Sequence, residues 1–132
     1  MRLNLDDLNP GTFFPFDEFD NDSGGVTIRL ANGEKMEEIN KKTTKKKAEY
    51  RRHVRHEYVV EDEKKRSDML WDYVIMEWNG VTNEKTGEEI PCTTENKIML
   101  MRGSVKFSNF VGSCIEKLTE EMEAFEEDLE KN

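Results

Sequence analysis

Three groups of residues could do chemistry. The string "HVRHE" places His53 and His56 three positions apart with Glu57 beside them. On a helix those side chains would form half a metal site. A zinc site needs three or four N, S or O ligands. The chain has no other His, its two Cys are distant, and Lys and Arg crowd the same segment. The string therefore reads as a solvated charged face, with no metal. Cys92 lies between Pro91 and Thr93, near an expected helix start, a location that can lower a thiol pKa. No nucleophile–base pairing and no Gly-rich phosphate loop accompanies it. Cys114 falls on an apolar stripe and is expected to be buried and inert. Residues 41–56 hold eight Lys or Arg against one Glu, so they could meet phosphates, and Tyr50 and Tyr58 could stack on bases. The net charge of −9 and the lack of a recognised nucleic-acid motif argue against that partner. A basic face answered by the chain's own acidic segments is the favoured reading. No catalytic residue, cofactor or metal ligand follows from the sequence, and a protein that is not an enzyme is expected.

The elements that must position these residues follow from spacing. Residues 1–25 contain Pro10, Gly11, Pro15, Gly24 and Gly25 without a clear period and read as an irregular or disordered arm. Within it "FFPF" is anomalous, because exposed aromatics are costly; Phe13, Phe14 and Phe16 are expected to dock on the domain or on a partner. "VTIRL" alternates Val26, Ile28 and Leu30 and predicts a strand ended by Asn32-Gly33. "EKMEEINKK" predicts a short helix. Residues 43–60 fit either a hairpin or one long helix; two short strands are preferred, because a lone strand needs partners for its backbone groups.

Trp71, Val74, Ile75 and Trp78 step at i, i+3, i+4 and i+7, which predicts a helix closed by Gly80. Asp72 and Glu77 would then face solvent. "VTNEKTGEEIP" predicts a connector turning at Thr86-Gly87. Thr93 or Thr94 can cap a helix that runs to Gly103, and Ser104 can cap a long final one. In that final helix Phe107, Val111, Cys114 or Ile115, Leu118, Met122, Phe125 and Leu129 form a stripe about six turns long. The fold expected is α+β but mostly α: residues 26–132 form a single helical domain with a small antiparallel sheet or hairpin in the N-terminal half and a long, acidic C-terminal helix.

Composition bounds the rest. The 132 residues are 37% charged and 35% hydrophobic, which leaves material for one small core. Residues 1–22 hold six acids and one Arg, and residues 116–132 hold eight acids and two Lys. This segregation invites self-neutralisation within one copy or between copies. No apolar run reaches the roughly 20 residues of a membrane span. The opening residues do not have the pattern of a secretion signal. Two lone Cys fit free thiols in a reducing cytoplasm.

The string "MLWDYVIMEWNGVTNEKTGEEIPCTTENKIMLMRGSVKFSNFV" resembles small proteins of tailed-phage and prophage structural gene clusters, of the tail assembly chaperone type. The upstream "VTIRL" and "INKKTTKKKAEYRRHVRHEYVVED" are similar to that group's strand, short helix and basic segment, so the resemblance runs from about residue 26 to 118. It implies a protein of the host cytoplasm that binds the long, apolar, helical tape measure protein. Such a protein keeps its client soluble and helps tail tube subunits polymerise around it. Deformable side chains suit such a client. Met101, Met122, Phe125 and Leu129 are the candidate partner-binding residues. The alternative is a small structural or adaptor protein of the phage particle that self-associates through its last helix.

Overall fold

A computed structural model describes residues 1–131; the side chains of residues 126 and 128–131 lie outside that description. Nine elements follow in order: β1 (Thr12–Asp17), β2 (Asp20–Ile28), α1 (Gly33–Thr43), β3 (Thr44–Arg51), β4 (Val54–Glu61), α2 (Glu63–Val74), β5 (Ile75–Asn79), α3 (Thr94–Gly103) and α4 (Val105–Lys131). The chain divides into two compact units, one of residues 1–30 with 71–132, the other of residues 31–70.

The first unit is built on a three-stranded antiparallel sheet in the order β1-β2-β5. Val26 of the central strand pairs with Phe14 on one side and Trp78 on the other. Pro15 cannot donate to a ladder, and β1 is an edge strand, where that loss is tolerated. α4 packs against α3 and β2. Val26, Ile28, Val74, Ile75 and Trp78 are buried on the sheet side, and Phe107, Val111, Cys114 and Leu118 on the α4 side. Each such side chain gains about 1.5–3 kcal/mol when taken out of water. The Trp78 ring meets Phe107 edge-on at 5.4 Å, and its indole Nε1 donates to the Ile90 carbonyl at 2.7 Å.

The mostly helical expectation is overturned. Helix accounts for 44% of the residues and strand for 30%, in one sheet of three strands and one of two. Two misreadings produced the error. The segment expected as an irregular arm supplies β1 and most of β2. The stripe Trp71, Val74, Ile75 and Trp78 is not one helix face, because the chain changes from helix to strand between Val74 and Ile75. Arg29, just past β2, causes this change. Its backbone N–H donates to the Val74 carbonyl at 3.0 Å and its Nε to the Tyr73 carbonyl at 2.9 Å. Its guanidinium also lies 3.8 Å over the Tyr73 ring. The last carbonyls of α2 are thus claimed by β2's extension, and the β-branched Val74-Ile75 pair enters the sheet.

Gly80 therefore does not end a helix. It follows β5 at φ +72, facing Gly24 at φ +97. A Cβ on Gly80 would meet the Ser23 carbonyl oxygen at 2.6 Å, and one on Gly24 would strike the Asn79 carbonyl oxygen. Two backbones touch here because neither residue has a side chain.

In the second unit, Asn32 caps α1 by accepting from Lys35 N at 2.9 Å, and Ile39 and Thr43 are the buried residues of that helix. β3 and β4 form an antiparallel hairpin in unbroken register from Thr44↔Glu61 to Arg51↔Val54, which decides between the two readings of residues 43–60. Arg52 and His53 make the two-residue turn, both at positive φ (51° and 66°). A hairpin of this twist prefers Asn-Gly there.

Gly24→Ala or Gly80→Ala is expected to cost about 2–3 kcal/mol, the sum of a disfavoured backbone angle and a backbone collision. Gly33→Ala, where a Cβ meets open space, should change stability by less than about 0.5 kcal/mol. Urea unfolding followed by circular dichroism distinguishes these outcomes.

Candidate functional site

α4 carries the most distinctive surface. Its caps are local: Ser104 Oγ accepts from Phe107 N at 3.1 Å. At 27 residues it is about 40 Å long. Phe107, Val111, Cys114 and Leu118 are buried. The same stripe then continues to Met122 and Phe125, which are 54% and 51% exposed. Its next member, Leu129, has its side chain outside the described residues. Met101 is half-buried on α3, on a different element from the other three candidates. The structure thus supports an exposed apolar patch at Met122 and Phe125 and does not join Met101 to it.

A cleft of about 730 Å³ opens beside the start of α4. Phe16, Val81, Ile90, Leu100, Phe107 and Phe110 supply its apolar lining. Phe16 of β1 stands 5.0 Å from Phe110, ring to ring. Sequence reasoning missed this cleft as a site. The signal was present in "FFPF", whose third aromatic reaches α4 across the edge of the sheet.

Polar groups at the start of α3 have structural tasks. Thr93 caps α3 by accepting from Asn96 N at 3.2 Å. Lys97 is buried on the same helix, and its Nζ donates to the Asp72 carbonyl at 3.0 Å and to Asp72 Oδ1 at 3.2 Å. Thr94 Oγ1 donates to the same carboxylate oxygen at 2.7 Å. Asp72, expected to face solvent, instead ties α3 to the last turn of α2.

Burial raises the pKa of both thiols. Burial pushes Cys92 above its ordinary value, and the nearby Lys97 charge only partly opposes it. Burial pushes Cys114 up to about 11. The helix start near Cys92 does not activate it. His53 sits in the hairpin turn while His56 lies opposite Glu49 in β4, so the helical i, i+3 arrangement does not form. Among the described residues no group of three or more His, Cys, Asp or Glu side chains is placed to hold a metal. Among them, too, no helix is long and apolar enough to cross a membrane.

Two outcomes test this account. Asp72→Ala leaves the Lys97 ammonium buried against a backbone carbonyl and should cost about 2 kcal/mol, while Lys97→Met should cost less. Urea unfolding of both variants would decide; equal losses would contradict the assignment. For Cys114 the folded thiol holds its proton more tightly than the unfolded one. Its stabilising contribution is therefore present below the ordinary thiol value and lost as pH rises through about 11. The stability advantage of the native chain over Cys114→Ala should shrink across that window.

The family described as YdaY prophage protein matches residues 29–132, which takes in α1 through α4. No curated protein and no solved structure matches. With most of its length inside that match, the chain belongs to the YdaY prophage protein family.

Proposed function

We propose that this prophage protein is a non-enzymatic factor of phage tail morphogenesis. In this reading it binds apolar helical segments of the tape measure protein and keeps that client soluble while the tail assembles. The observation that carries the reading is the stripe on α4, buried through Leu118 and exposed at Met122 and Phe125. A helical client offers a complementary stripe, and a flexible Met beside an aromatic ring accepts many side-chain shapes. The cleft lined by Phe16, Leu100, Phe107 and Phe110 offers a second apolar seat in the same unit. That unit also holds twenty acids against eight Lys or Arg, a charge that keeps a loaded complex in solution. The tape measure protein as client rests on the sequence resemblance over residues 26–118.

A second reading draws on the same exposed stripe: two copies pair through α4, and the protein is a self-associating structural or adaptor component of the particle. Mass spectrometry of purified particles separates the two, since an assembly factor is absent from finished tails and a structural component is present.

Co-expression with the tape measure protein encoded by the same prophage is the direct test. The expected result is a soluble complex that survives size exclusion. Met122→Asp with Phe125→Asp should return the client to the pellet while leaving the circular dichroism spectrum unchanged. Equal client solubility with and without the protein would defeat the proposal, as would full activity of the double variant.

A further inference from the structure

The β3–β4 hairpin is the part of the molecule that the α4 reading does not use. Its strands are eight residues each, about 27 Å long. Every strand residue except Thr44 and Val60 is exposed, so neither face of the ribbon builds a core. Residues 44–61 hold six Lys or Arg against three Glu: Glu49, Glu57 and Glu61.

The register sorts these charges by face. Directly opposed residues point the same way. Lys45↔Val60, Lys47↔Tyr58, Glu49↔His56 and Arg51↔Val54 share one face. Thr44↔Glu61, Lys46↔Val59, Ala48↔Glu57 and Tyr50↔Arg55 share the other. Lys45, Lys47 and Arg51 outnumber Glu49 on the first face, Lys46 and Arg55 match Glu57 and Glu61 in number on the second, and Arg52 with His53 occupies the tip. Two of the arginines have carboxylate companions, Arg51 with Glu49 at 3.5 Å and Arg55 with Glu57 at 3.2 Å. All four side chains are exposed, so these pairs hold weakly and leave the guanidinium groups open to a better anion. Lys45, Lys46, Lys47 and Arg52 make no salt bridge among the described residues.

The turn supplies an independent observation. Arg52 and His53 both adopt left-handed backbone angles, which cost about 1 kcal/mol or more for each residue that carries a side chain. Asn-Gly would make the same turn without that cost. A strained turn that keeps two cationic-type side chains at the end of a ribbon points to use of those side chains.

We propose that the β3–β4 hairpin binds duplex DNA by entering the major groove. A two-stranded ribbon fits that groove, which is about 12 Å wide and has phosphates along both walls. Cations on both faces and at the tip match two walls. An acidic protein segment lying on one face would leave half of them unused. A single strand would need a continuous stacking platform; Tyr50 and Tyr58 lie on opposite faces and do not form one. The overall charge of −9 does not prevent this contact, because the charge is divided. Residues 31–70 hold twelve Lys or Arg against nine acids, and the acidic excess belongs to the other unit.

Fluorescence anisotropy of the full chain with a labelled mixed-sequence duplex of about 25 base pairs tests this. Micromolar binding is expected, and affinity should fall roughly 150- to 500-fold between about 50 and about 200 mM salt if four or five phosphates are neutralised. Lys45→Gln, Lys46→Gln and Lys47→Gln together should abolish binding. The decisive variant joins Arg52→Asn with His53→Gly. It relaxes the turn and should keep or raise the melting temperature, yet weaken duplex binding several-fold. No binding at the lower salt would overturn the proposal. So would an unchanged affinity in the relaxed-turn variant, or tighter binding of a single strand of equal length. A salt-sensitive dimer that binds no DNA would assign the hairpin to an acidic protein surface instead. None of these outcomes bears on Met122 and Phe125, so this proposal and the tail-assembly reading stand or fall separately.

Discussion

Phe107, Val111, Cys114 and Leu118 anchor α4 against β2 and α3. The covering elements are short, with strands of five to nine residues and an α3 of ten, whereas α4 has 27. Its apolar stripe is therefore satisfied for half its length. The sheet depends on this contact as well, because a three-stranded sheet this small has no stability of its own without a packed face. Among the described residues Leu118 is the last buried member, and Met122 is 54% exposed. One packing interaction thus holds the first unit together and leaves an exposed apolar patch at its edge.

Charge is distributed by the same division. The unit that carries the α4 stripe is strongly acidic. The unit of residues 31–70 is basic, and its hairpin is exposed on both faces. Ionisable groups mostly stay at the surface and pair weakly. The exception among the described Lys, Arg, Asp and Glu residues is Lys97, whose burial is compensated by two contacts to Asp72.

Much of this was legible in the sequence wherever local chemistry decides structure. The caps at Thr93 and Ser104 and the turn at Gly87 follow from residue type and hold in the fold. The stripe from Phe107 to Leu118 follows from spacing alone. What was lost depends on long-range contact. "DNDSGG" has the composition of a turn, yet it forms strand because Gly24 and Gly25 let β1, β5 and Gly80 approach where a side chain would collide. Ile75 to Trp78 reads as helix by period, and Arg29, more than forty residues upstream, makes it strand. The cleft was invisible for a similar reason, since Phe16 and Phe110 meet only once β1 has paired.

Hydrogen exchange read along α4 by mass spectrometry tests the half-covered helix most directly. Amides of β2, β5 and residues 105–118 should exchange slowly and together, with residues 119–131 faster by orders of magnitude. Uniform protection along the whole helix would contradict the account, because the second half would then already be covered.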